Sequence, residues 1–321
     1  MRADQSIESV MDKVNSLIEE VFEHGEKAIR RQVEEFDGVK TPALRVSAEQ
    51  LNDSLEEIDD QLLEAMKEAI ARLRLSSADA MPESVSTAFG ESSKVIQRYS
   101  PVDSVAVYAP GGKAVYPSSV IMNVVPAQVA GVSRIGLFSP AQADGLPAKQ
   151  VLAAAKLLGI SEVYSIGGVG AVAAAAFGLE SLQMQPFRMF TGPGNIFLAA
   201  AKRALRGRIG IDSEAGPTEI MILADEKANP SHVAADLLSQ AEHDENAACV
   251  LVTNSLQFAE KVNLDLQQRV KSTKNSERAN VSLNGPQSLI LVVGSVQSMV
   301  TAANEYAAEH LSLQVEDNDK F

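Results

Sequence analysis

The sequence predicts an α/β protein of two domains, each a largely parallel sheet covered by helices, behind a helical N-terminal segment. Three observations predict it. From Pro101 onward, short apolar runs alternate with Ala-rich helical stretches, each run closed by a Gly/Pro turn, which is βαβ patterning. The runs are continuously apolar, as parallel strands buried on both faces require. The length, 321 residues, exceeds what one small core organises and suits two ordinary domains.

The N-terminal segment reads as helix because Ile7, Val10, Met11, Val14, Leu17 and Ile18 recur at three- and four-residue spacing. A second helix is expected from about Gln50 to Ser76, striped by Leu51, Leu55, Ile58, Leu62, Leu63 and Met66. The expected strands are Ser104–Ala109, Val132–Phe138, Glu162–Ile166, Arg188–Phe190, Glu219–Ala224, Cys249–Thr253 and Ser288–Val293. Helices are expected between them at Ser118–Ala130, Gly145–Leu158, Ile196–Leu205 and Ser231–His243. The punctuated stretch Ile209–Pro217 is the expected domain crossing.

Composition narrows the function. Hydrophobic residues at 45% and charged residues at 22% are the balance of a globular protein. Twenty-eight Lys and Arg against 42 Asp and Glu give a net charge of −14, a surface that repels nucleic-acid phosphates and anionic lipid. No stretch reaches bilayer-spanning length, and Met1 to Ser16 has no signal-peptide core, so the expected location is the cytoplasm. The single cysteine, Cys249, excludes a disulfide framework. Its apolar run, Ala247 to Val252, makes it a core residue rather than a nucleophile. His24 and His232 stand among polar helical residues and take no role.

In open α/β sheets ligands bind at the carboxyl ends of strands, so the turns after each run are examined first. Tyr108-Ala109-Pro110-Gly111-Gly112-Lys113 could bring backbone amides to a phosphate, and reads equally well as a plain tight turn. Gly167-Gly168-Val169-Gly170 opens an Ala-rich helix but is not G-x-G-x-x-G. Thr191-Gly192-Pro193-Gly194-Asn195 leads from a strand into a helix N-terminus, where an anion is favoured. Three such turns in one half favour a nucleotide more than any one does. Ile211 to Glu219 reads as a polar interdomain loop. Gln240 and His243, three apart near a helix end, could share a metal or substrate, although a histidine there is also a common helix-end cap. Glu309-His310 pairs a carboxylate with an imidazole, suiting water activation and general-base work, although such pairs also arise by chance.

Taken together and in order, Val107-Tyr108-Ala109-Pro110-Gly111-Gly112, Tyr116-Pro117-Ser118-Ser119, Gly192-Pro193-Gly194-Asn195, Ala215-Gly216-Pro217-Thr218-Glu219, Leu238-Ser239-Gln240-Ala241-Glu242-His243 and Glu309-His310-Leu311 resemble the histidinol dehydrogenase family over most of the chain. The resemblance implies two Rossmann-like, aldehyde dehydrogenase-like domains: 1–107 with 218–321, and an inserted nucleotide domain at 108–217. It also implies a homodimer, zinc, and oxidation of L-histidinol to L-histidine with two NAD in histidine biosynthesis. By the resemblance, Tyr108 and Asn195 contact NAD. Thr218, Gln240, His243 and His310 contact substrate. Gln240 and His243 ligate zinc, His310 is the general base, and Glu309 activates water.

Three departures accompany the resemblance. The family's Gly-Gly-x-Gln turn has Gly170 at its last position, and Ala308 replaces a usual proline before Glu309. The chain stops at Phe321, where family members continue into a strand, an Asp-containing loop and a helical tail carrying an aspartate and a histidine zinc ligand. The expectation is therefore a C-terminally truncated or divergent member, either active or a non-catalytic homologue retaining fold and nucleotide binding.

Overall fold

The computed structural model describes residues 7–40, 43–111, 115–214 and 218–318. The described residues form two compact units, 7–214 and 218–318.

The first unit runs α1 (Glu8–His24), α2 (Glu26–Gln32), a π turn (Val33–Asp37), α3 (Ala48–Glu56), α4 (Asp60–Asp79), β1 (Val85–Ala88) and β2 (Lys94–Gln97). It continues β3 (Ser104–Tyr108), α5 (Pro117–Val129), β4 (Arg134–Ser139), α6 (Lys149–Leu157), β5 (Glu162–Ser165), α7 (Gly168–Phe177), β6 (Met189–Thr191), α8 (Ile196–Leu205) and β7 (Gly210–Ile211). Strands β3 to β7 form one sheet in the order β5-β4-β3-β6-β7, every pairing parallel. In chain order that is 3-2-1-4-5, the doubly wound arrangement whose switch point lies between β3 and β6.

Alternation along the strands sorts the core. Ala106, Tyr108, Phe138, Tyr164 and Phe190 pack on one face with α1, α2, α7 and α8. Val105, Val107, Leu137 and Val163 pack on the other with α3 to α6. The buried stripe of α1 is Val14, Leu17, Ile18 and Val21, as its spacing predicts. The helix expected from Gln50 to Ser76 is instead two. Ser47 and Gln50 form a capping box at the start of α3, and Asp59 caps α4 by accepting from the Leu62 N–H at 3.0 Å. An acidic N-cap in mid-stripe begins a new helix although the apolar period runs on.

The second unit runs β8 (Glu219–Ala224), α9 (Pro230–Ala241), β9 (Ala248–Thr253), α10 (Leu256–Val270), α11 (Ser276–Asn284), β10 (Leu289–Val292), α12 (Val296–Tyr306) and β11 (His310–Gln314). Its sheet, β10-β9-β8-β11, is also wholly parallel. Ile222, Cys249 and Leu251 face α9 to α11, while Met221, Leu223, Val250 and Val252 face α12.

This division differs from the expected grouping of 1–107 with 218–321. Strand β3 is the centre of the first unit's sheet, and α1 packs on α7 and α8, so residues before Tyr108 cohere with those after it. Of the expected crossing Ile209–Pro217, residues 215–217 lie outside the described residues, as do Gly112-Lys113 of the first turn. Among the described residues no helix is long and apolar enough to cross a membrane.

Strand β10 is an edge, and its four side chains, Leu289 to Val292, are 36% to 43% exposed. Such an edge recruits other chains. We therefore expect the particle size in light scattering to grow with concentration, and Ile290→Lys to reduce that growth severalfold. Equal growth in both proteins would show that this strand is not the contact.

Candidate functional site

The carboxyl ends of β3, β4, β5 and β6 open onto a cavity of about 890 Å³ in the first unit, walled on its other side by α1, α2 and the π turn. That volume lies in the range of cofactor sites. Tyr108, the last residue of β3, is buried, and its hydroxyl accepts from the Gly168 N–H at 3.2 Å. Burial pushes the Tyr108 hydroxyl up to about 12, the Gly168 hydrogen bond opposing and the nearby Asp37 charge adding to it. The phenol is therefore a neutral group that fixes the glycine turn.

Gly168 and Val169 open α7, which has no side-chain cap and no acidic residue in its first turn. Gly168 adopts φ +53, a left-handed conformation natural to glycine. Gly170, where the resemblance expects glutamine, lines the cavity beside Gln32. A Cβ on Gly170 would sit 3.0 Å from the Gln32 Oε1. Gln32, buried at the end of α2, donates from Nε2 to the Leu17 carbonyl at 3.0 Å. An amide therefore stands beside this position, from α2 rather than α7.

Asn195 lines the same cavity and caps α8, its Oδ1 accepting from Phe197 and Leu198 N–H groups at 3.1 and 3.2 Å. Its amide NH2 remains the donor end. The turn before it is held by a buried network absent from the sequence reading. Lys202, 1% exposed, donates to the Gly192 carbonyl and to Asp212 Oδ1, each at 2.6 Å. Asp212 Oδ2 accepts from the Gly192 N–H at 2.8 Å. Gly192 has φ +121 and passes so close to β3 that a Cβ would lie 2.3 Å from the Tyr108 carbonyl. Tyr108 and Asn195 are thus brought to one cavity at the switch point.

This cavity suits a dinucleotide on its own chemistry. It offers an uncapped helix N-terminus for phosphate, an amide donor at Asn195 and a carboxylate at Asp37. Ser139 and Ser165, paired across β4 and β5, carry buried hydroxyls with no hydrogen-bond partner among the described residues.

Asp37 was not singled out in the sequence. Burial raises its carboxyl from 3.8 to about 6, opposed by a hydrogen bond from the Ala141 backbone. Because the folded value is raised, its contribution to stability is fully present below 3.8 and is lost as pH rises through about 6. Asp37→Asn is therefore expected to raise the melting temperature by a few degrees at about pH 8, and by less at about pH 4. Equal shifts at both pH values in differential scanning calorimetry would contradict this.

In the second unit the candidate residues gather at the amino ends of the strands. Thr218 precedes β8, Gln240 lies in the last turn of α9, His243 lies between α9 and β9, and Glu309 and His310 enter β11. The candidate turns here are the helix-to-strand ones. The carboxyl end beside β8 and β11 is tied instead by Asp225, which accepts from Lys227, Ala228 and Glu316 N–H groups.

At the amino end, half-buried Thr218 accepts on Oγ1 from Gln240 Nε2 at 2.6 Å, which leaves the Gln240 oxygen as its acceptor end. The Ala248 N–H donates to the Thr218 carbonyl at 3.1 Å. Helix α12 ends at Ala307 with φ +49, turning the chain into Glu309 and His310. Glu219 anchors that turn, accepting from the Tyr306 hydroxyl at 3.0 Å and the Glu309 N–H at 3.3 Å. His310 Nδ1 lies 3.1 Å from the Glu219 carbonyl oxygen and 3.6 Å from Glu309 Oε2. Both neighbours accept, so the neutral ring carries its proton on Nδ1 and presents the Nε2 lone pair outward. His243 is exposed just past α9, joined to Gln240 through its backbone N–H at 3.1 Å. Its ring makes no contact with this cluster among the described residues.

Cys249 is buried, donates to the Leu237 carbonyl at 3.3 Å and is pushed by burial up to about 11, so it is core as the sequence indicates. For zinc, no group of three His, Cys, Asp or Glu side chains converges among the described residues. Gln240 and His243 supply two donors, whereas catalytic zinc takes three protein ligands. The described residues alone do not fit a complete zinc centre.

Comparison with known proteins agrees across the whole length. Histidinol dehydrogenase of Streptomyces avermitilis is 48% identical over 98% of this chain and 72% of its own length. That of Corynebacterium diphtheriae is 45% identical over 99% of this chain and 73% of its own. The crystal structure of histidinol dehydrogenase from Elizabethkingia anophelis superposes with a TM-score of 0.94 at 29% identity, covering 100% of this chain and 73% of that one. The histidinol dehydrogenase family model matches residues 1–321, and with these relatives it shows that the chain belongs to the histidinol dehydrogenase family.

Proposed function

We propose that this chain binds NAD in the first unit's cavity and L-histidinol at the Thr218–Gln240–His310 cluster, and oxidises the alcohol to L-histidine in two steps. The observation that carries the reading is the convergence of Thr218, Gln240, Glu309 and His310, through Glu219, at one end of one sheet in a chain of this family. Bound NAD supplies the hydride acceptor for each step. His310 Nε2 takes the alcohol proton as hydride leaves the carbinol carbon, while the Glu219 carbonyl holds Nδ1–H and fixes the ring. Glu309 then takes a proton from water as the water oxygen adds to the aldehyde carbon. Once His310 has released its first proton to solvent, the hydrate anion gives up a second hydride from carbon and its remaining hydroxyl proton to His310, leaving the carboxylate of histidine. Thr218, its oxygen occupied by Gln240, keeps its hydroxyl proton to donate to the substrate. The same reading makes the chain a cytoplasmic, homodimeric enzyme of histidine biosynthesis. Zinc belongs to the reading through Gln240 and His243, and no step is assigned to it.

A second reading, a nucleotide binder without turnover, draws on Gly170 and on the two-donor zinc set. NADH formation from L-histidinol and NAD with added zinc separates the two. Turnover supports the enzyme. NAD binding by calorimetry without turnover supports the second reading and overturns the first.

A further inference from the structure

In a sheet of this strand order, a dinucleotide's ribose is commonly read by an acidic side chain following the second strand in chain order. That strand is β4, and it runs out into Ser139, Pro140, Ala141 and Gln142, none of them acidic. The carboxylate at this place comes from the far end of the chain. Asp37 closes the π turn after α2, and Gly38 behind it adopts φ 71 to turn the backbone away. The carboxylate accepts a hydrogen bond from the Ala141 backbone, just past β4. Its Oδ1 lies 3.4 Å from where a Cβ on Gly167 would stand, in the turn after β5. Asp37 therefore bridges the two loops that flank the ribose position, inside the cavity that holds Tyr108 and Asn195.

Among the described residues no ion pair reaches Asp37. Of the lysines lining the cavity among the described residues, Lys40 pairs with Glu34 at 3.0 Å, and Lys13 lies against the Phe36 and Phe197 rings. A half-buried carboxylate without a cation beside it carries a desolvation cost that water only partly relieves. Hydroxyl donors from a ligand relieve it, whereas a second anion worsens it.

We infer that Asp37 binds the ribose diol of the dinucleotide and rejects a 2′-phosphate there, an inference that rests on the first unit's cavity being the dinucleotide site. Asp37 is then the specificity residue for NAD over NADP, supplied from outside the strand that usually carries it.

The test is isothermal titration calorimetry of NAD and NADP with the full chain, Asp37→Asn and Asp37→Glu. Asn keeps an oxygen for the Ala141 N–H, and a thermal melt of each variant checks folding. The wild-type chain is expected to bind NAD at least about tenfold more tightly than NADP. Asp37→Asn is expected to weaken NAD about tenfold and bring NADP to within about threefold of it, with Glu restoring part of the preference. Should Asp37→Asn keep the wild-type ratio while NAD still binds, the inference fails and the cavity reading survives. Absence of binding of either nucleotide to the wild-type chain overturns both. If Asp37→Asn does not fold, the Glu variant decides: an unchanged NAD affinity and ratio there overturns the inference, and a weakened NAD with a reduced ratio upholds it.

Discussion

Lys202→Met is expected to cost the first unit about 3 kcal/mol of stability, the largest loss from any single change outside its apolar core. The ammonium is 1% exposed and gives two hydrogen bonds at 2.6 Å, one to the Gly192 carbonyl and one to Asp212. Methionine fills the volume of the stem but donates nothing. The Gly192 carbonyl loses its donor, and Asp212 keeps a charge with no cation beside it. Asp212 is about one-third exposed, so water screens part of that charge and the expected cost sits at the low end of buried-pair removals. Because the loss comes from an uncompensated partner rather than from the pair itself, Lys202→Met with Asp212→Asn is expected to cost less than the sum of the single changes. Urea denaturation of the four proteins measures this cycle. A Lys202→Met midpoint matching wild type would mean that Gly192 and Asp212 are adequately satisfied without the lysine. The same change loosens the turn that seats Asn195, so NAD affinity is expected to fall with stability.

The fold was largely legible because its strands are continuous apolar runs between glycine turns. Strand Glu219–Ala224 and helix Ile196–Leu205 fall where the pattern puts them. Strand His310–Gln314 did not read as a strand, since His310, Ser312 and Gln314 alternate with leucines on a sheet edge and no long apolar run forms. The hairpin Val85–Gln97 escaped for a related reason: its side chains are exposed on both strands, so burial leaves no mark on the sequence. At the sites, motif order carried Tyr108, Asn195, Gln240 and Glu309-His310. Lys202 had left a signal, a lysine one turn from both Leu198 and Leu205 on the buried face of an Ala-rich helix, where a charge demands a partner. Asp37 left none, because the loop it meets, at Ala141, lies far along the chain. Glu219 acts partly through its backbone carbonyl, which no side-chain pattern encodes.

On the enzyme reading, His310→Ala is expected to reduce turnover of L-histidinol by roughly 10²- to 10⁴-fold, the range supplied by a general base. The geometry also predicts how the loss divides. The Glu219 carbonyl accepts from the ring, with Glu309 Oε2 3.6 Å from the same nitrogen, so the imidazole is oriented before substrate arrives, and the energy it contributes lies in proton transfer more than in binding. The loss should therefore appear in kcat, with KM for L-histidinol shifting by less than about threefold. Glu309→Gln should behave differently. It leaves the first oxidation able to proceed and slows the water step, so less than two NADH per histidinol should form early in the reaction. Free imidazole restoring part of the His310→Ala rate would mark the lost group as a proton acceptor rather than a structural wedge. If His310→Ala instead raised KM steeply at constant kcat, the ring would be a substrate contact, and the base would have to be sought elsewhere at the amino end of this sheet.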